Sequence, residues 1–117
     1  MPDKTLAAVS TDILTTEVRE FELPEIADDA GLLEIEAAGI CGSDWKSYQN
    51  KKTPRIMGHE NVGRVVKLGK LAARNWDLKE GDRITLEEYL PCGQCDICRT
   101  GDFRLCPQTE TRGPAGT

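Results

Sequence analysis

Cys92, Cys95, Cys98 and Cys106, spaced C-x2-C-x2-C-x7-C, constrain this chain more than any other feature. Two-residue gaps let neighbouring thiolates converge on one ion at Zn–S distances of about 2.3 Å, and zinc accepts a tetrahedron of sulfurs without a geometric demand of its own. Four protein ligands leave no position for water or substrate, so the cluster reads as a structural site rather than a catalytic one. Four thiolates around one Zn²⁺ leave an excess of negative charge. Arg99 and Arg104 are set against Asp96 and Asp102, so the excess must be spread by backbone N–H···S bonds or by cations elsewhere. Gly93 suits the tight turn that such bonding needs. The residues alone leave other chemistry open: ordinary thiols, two disulfides, an iron–sulfur cluster, or the zinc ribbon of a nucleic-acid-binding module.

The bulk numbers narrow the field. A chain of 117 residues is the size of one domain. Its net charge of −5, from 20 acidic and 15 basic residues, argues against a nucleic-acid partner. No apolar run approaches the roughly 18 residues of a membrane span. Leu6–Val9, the apolar stretch near the amino terminus, is too short for the core of a signal peptide. Five cysteines with no such signal point to a reducing, cytoplasmic setting, where clustered thiols bind metal more often than they pair.

The coarse pattern is mainly β. Leu6–Val9, Val18–Leu23, Leu32–Ile40, Asn61–Gly69 and Arg83–Tyr89 read as strands, with Leu33, Ile35 and Ala37 on one face of the third. Ser43 is placed to cap a helical turn over Asp44–Gln49. Lys51–Pro54 reads as a polar loop, and Pro107 onward as a polar tail. Short strands between glycine-marked turns suggest a barrel or sandwich.

One cysteine, Cys41, and the single histidine, His59, stand outside the cluster. Each lies in a glycine-marked turn beside carboxylates, Asp44 and Glu60. Thiolate, imidazole and carboxylate form the ligand set of a zinc site with an open position, and Asp44 is placed to hold the second imidazole nitrogen. A buried apolar cysteine and an incidental histidine are the competing reading of the same residues.

Taken together, the motifs resemble the zinc-dependent medium-chain alcohol dehydrogenases. Gly58-His59-Glu60-Asn61-Val62-Gly63 through Gly69 is similar to the family's GHE-x2-G-x5-G signature. Gly39–Asp44 resembles its first ligand turn, Lys79–Ile84 a barrel strand, and the four clustered cysteines its structural-zinc lobe. The resemblance covers about Leu6 to Pro107. It implies a GroES-like, partly open β-barrel with a small zinc lobe at about 91–107 and short helical turns. It implies Cys41 and His59 as ligands of a catalytic zinc, with Glu60 an adjacent carboxylate able to approach or replace a ligand. Asp44 would orient His59, and Ser43 would take the alcohol proton. Lys46 stands where many relatives place a relay histidine, and lysine, titrating near about 10.4, is a poor shuttle at neutral pH. Trp45 and Tyr48 either line a substrate channel or pack on the barrel.

The expected reaction is oxidation of an alcohol or polyol to a carbonyl, with hydride transfer to NAD or NADP. The dinucleotide fingerprint G-x-G-x-x-G is absent from these residues, and the resemblance puts the third catalytic-zinc ligand beyond Thr117. Residues 1–117 therefore read as the amino-terminal, GroES-like portion of an enzyme, without turnover of their own and with homo-oligomerisation open. The expected partner is a small-molecule alcohol or carbonyl, with no nucleic acid and no membrane. Two other classes compete: a stand-alone zinc-binding scaffold or interaction module, and a co-chaperonin subunit, which has no need of these ligand clusters.

Overall fold

Thr5, Val9 and Thr11 favour extended backbone. The computed structural model, which describes residues 4–50 and 54–111, forms strand β1 over Lys4–Asp12 and β2 over Thr15–Glu22. Their hairpin is closed by local side-chain bonds: the Asp12 carboxylate accepts from the Ile13 N–H at 2.8 Å, and the Thr15 hydroxyl donates to the Ile13 carbonyl at 2.9 Å. Leu14 takes the left-handed conformation that glycine usually fills, at φ 50°. The short strand β4 (Arg55–Ile56) pairs with the other edge of β1, giving a sheet of order β2-β1-β4.

The second sheet carries the site. It consists of β3 (Gly31–Gly39), β5 (Glu60–Leu68) and β6 (Arg83–Thr85), with β5 in the middle and both pairings antiparallel. Helix α1 (Gly42–Tyr48) follows β3, and α2 (Lys70–Trp76) follows β5. A small lobe holds β7 (Tyr89–Leu90), α3 (Asp96–Arg99), a 3-10 turn at Phe103–Leu105 and β8 (Glu110–Thr111). The two three-stranded sheets share no strand, so the barrel is partly open, as the family resemblance implies. Among the described residues, no helix is long and apolar enough to cross a membrane.

Several expectations change. The residue capping α1 is Cys41, not Ser43, because the chain leaves extended conformation two residues earlier than the serine suggests. Arg83–Tyr89 is not one strand: β6 ends at Thr85, and Tyr89 opens β7. The polar tail is not wholly irregular, since Glu110–Thr111 pairs with Tyr89–Leu90; residues 112–117 lie outside the described residues. Of the polar loop, residues 51–53 also lie outside them. Leu33 and Ile35 stay in regular register on one face of β3, opposite Val65 and Gly63, but Ala37 falls out of it. Ile35 is 49% exposed, and a register shift between Ile35 and Ala37 breaks the alternation there. Among the described residues, the buried apolar side chains are Val9, Val65, Ala72 and Cys106.

Candidate metal centres

The lobe brings its four sulfurs within 4.8 Å of one another. Cys92 and Cys98 stand 3.9 Å apart, as do Cys95 and Cys106. Sulfurs at about 2.3 Å from one tetrahedral ion lie about 3.8 Å from each other, whereas a disulfide needs about 2.05 Å. The donor set therefore fits a single zinc, and all four thiols are free. Backbone N–H groups point at sulfur, among them Cys92 to Cys106 at 3.5 Å, Cys95 to Cys92 at 3.4 Å, and Cys98 to Cys95 at 3.5 Å. These are the bonds expected to spread the thiolate charge. Gly93 makes the turn between them at φ 73°.

The same bonds divide the sulfurs. The Cys92 N–H holds the Cys106 thiol down to about 6. Burial, reinforced by the neighbouring Cys95 sulfur, pushes Cys98 up to about 12. Arg104 does not balance the lobe's own carboxylates. Its guanidinium reaches out to Glu87, with one nitrogen at 2.9 and 3.1 Å from the two carboxylate oxygens, and its carbon lies 5.2 Å from the Tyr89 ring centre. That ion pair holds the Glu87 carboxyl below its usual range.

The second centre is built by strand register. Gly39 ends β3 opposite Glu60, which opens β5, so the turns beyond carry Cys41 and His59 to the same edge. Cys41, His59 and Glu60 place one donor atom each within 4.8 Å of one another. Gly39 makes room for this, because a Cβ there would stand 2.6 Å from Glu60 Oε2. Asp44, in the first turn of α1, divides its carboxylate. Oδ2 accepts from the Cys41 N–H at 3.0 Å, and Oδ1 lies 3.3 Å from His59 Nδ1. A carboxylate only accepts, so Asp44 favours the proton on Nδ1, which leaves the Nε2 lone pair to a metal.

Electrostatics tie the group together. The Ser43 hydroxyl holds the Cys41 thiol below its ordinary range, helped by the Ser43 N–H and by His59. His59 is raised, chiefly by Cys41, with Asp44 and Glu88 adding to it and burial opposing. The donors Cys41, His59 and Glu60 line a cleft of about 540 Å³ together with Glu87, Glu88 and Arg104. Trp45 and Tyr48 do not face that cleft. They line a separate, mostly apolar pocket of about 400 Å³ with Ile40 and Met57, their rings 6.2 Å apart. Glu88 is the member of the cleft that motif reading passes over. It belongs to no ligand signature, and the signal for it was the register by which the chain after β6 continues beside β5.

A family model described as the alcohol dehydrogenase GroES-like domain matches residues 27–117. A "Probable alcohol dehydrogenase adh" of Mycobacterium tuberculosis is 38% identical over 92 residues, covering 76% of this chain and 25% of the relative. The erythritol/L-threitol dehydrogenase of Mycolicibacterium smegmatis is 33% identical over 126 residues, covering 97% and 35% respectively. Among solved structures, the alcohol dehydrogenase TADH from Thermus sp. ATN1 superposes with a TM-score of 0.80 at 30% identity, covering 94% of this chain and 32% of that one. The chain thus spans about a quarter to a third of the length of the relatives it matches.

Proposed function

The chain belongs to the alcohol dehydrogenase GroES-like domain family, and on that footing we propose that it supplies the metal-binding part of a zinc-dependent dehydrogenase converting an alcohol or polyol to a carbonyl with NAD or NADP. The convergence of Cys41, His59 and Glu60 in one cleft carries this reading. Cys92, Cys95, Cys98 and Cys106 hold a structural zinc; Cys41, His59 and Glu60 contribute to a catalytic one. When bound, the catalytic zinc supplies Lewis acidity toward the alcohol oxygen and the nicotinamide accepts hydride.

This chain's residues do the remaining work. Asp44 fixes the His59 ring so that Nε2 faces the cleft. Ser43 Oγ takes the alcohol proton and releases it through water, cofactor hydroxyls or another group, since Lys46 offers no neutral relay. The thiols stay reduced in a cytoplasmic setting, and self-association through uncovered strand edges belongs to the same reading.

Metal content tests it. The 117-residue chain should retain about one zinc through dialysis, lost in Cys98→Ser, and bind a second equivalent more weakly in a His59-dependent way. No turnover with NAD⁺ or NADP⁺ is expected from these residues alone. A chain that retains no zinc overturns the lobe assignment, and a second equivalent indifferent to His59→Ala overturns the catalytic one.

A further inference from the structure

The sheet that delivers Cys41 and His59 has a third strand, and it runs to the same edge. Val62 pairs with Thr85, and the Leu86 N–H donates to the Asn61 carbonyl at 3.1 Å. Continuing that register by two residues sets Glu88 opposite His59. The side chains meet accordingly: Glu88 Oε2 lies 3.9 Å from His59 Nε2, the nitrogen that Asp44 leaves free. Glu88 has a side-chain exposure of 28% and lines the cleft with the three donors.

Its neighbours fix it there. Arg104 grips the Glu87 carboxylate on one side of Glu88 and covers the Tyr89 ring on the other. Both flanking residues are thus tied to the lobe, which leaves the Glu88 side chain to face His59. Two donors at about 2.0–2.1 Å from one tetrahedral ion lie about 3.4 Å apart; Glu88 Oε2 stands 3.9 Å from His59 Nε2 but outside the 4.8 Å group of Cys41, His59 and Glu60, so a rotation of its side chain must bring it to a shared ion. A divalent ion of the zinc type accepts such a mixed set of sulfur, nitrogen and oxygen.

We propose that Glu88 is a further ligand-bearing residue of the centre, a second carboxylate that shares one position on the ion with Glu60 beside the Cys41 thiolate and the His59 imidazole and leaves a position open. The inference rests on the Cys41/His59 assignment and adds a donor to it.

Cobalt is the probe. The chain, its lobe filled with zinc, is titrated with Co²⁺ while thiolate-to-cobalt and d–d absorption are followed. Glu88→Gln should weaken Co²⁺ binding by roughly tenfold or more and alter the d–d band. Glu25→Gln, which removes an equal charge from an exposed loop, should leave both unchanged. Equal circular dichroism and equal lobe zinc establish that the variants are folded. Wild-type affinity and spectrum in Glu88→Gln, with binding abolished in His59→Ala, overturn the role of Glu88 alone. Wild-type binding in His59→Ala overturns the centre itself.

Discussion

Cys98 and Cys106 sit at opposite ends of the lobe's ionisation. Cys106, held down to about 6 from an ordinary 9.0, is a thiolate at neutral pH before any metal arrives. Its contribution to the stability of the metal-free fold is present above pH 9 and is lost as pH falls toward 6. Cys98, pushed up to about 12, has the opposite sign: its neutral thiol favours the fold below pH 9, and that contribution is lost as pH rises toward 12. Zinc uptake at pH 7 should therefore release fewer protons than the four ligands would suggest, because Cys106 has none to give. Calorimetry in buffers of different ionisation enthalpy reads that number directly. At this scale the sequence was informative wherever chemistry demands a residue type at a fixed spacing, as at Cys92-x2-Cys95-x2-Cys98 or Gly58-His59-Glu60. It was uninformative for Glu88 and Arg104, whose roles depend on which strand lies beside which.

Strand β5 is the element on which the rest depends: β3 and β6 flank it, and its first residue is Glu60. Val65 at its centre is 4% exposed, while Val18 in β2 is 71% exposed. Val65→Ala should cost about 1–3 kcal/mol, and Val18→Ala less than about 0.5 kcal/mol, in urea unfolding of the zinc-loaded chain. The β-branched run made β5 legible in advance. Helix α2 was not legible, although Leu71, Ala72 and Ala73 are good helix formers. The signals were masked at both ends. Gly69 reads as the close of a strand yet caps the helix, and the left-handed C-cap is Asp77 rather than glycine. What holds α2 is tertiary: the Leu71 and Ala72 N–H groups both donate to the Asp28 carbonyl, at 2.9 and 3.0 Å.

The whole molecule is flat, 40 × 37 × 20 Å, with its sheets unclosed. Leu6, Val18, Ile40 and Leu105 are between 69% and 88% exposed, whereas a closed two-layer domain would cover residues of this kind. Since the denaturant slope follows the surface exposed on unfolding, the zinc-loaded chain should show a urea m-value below that of compact domains of equal length. A slope typical of compact domains would mean that these faces are covered in solution. The mainly β class was readable from strand patterning, but the openness was not, because alternation shows which residues seek cover and not whether cover arrives. Arg104 belongs by position to the lobe and by contact to the cleft. A lobe without its ion would free the turn that carries Arg104, and with it the hold on Glu87 at the wall of the cleft. Scarcity empties the weaker centre first, and a lobe that keeps its ion keeps that wall of the cleft in place.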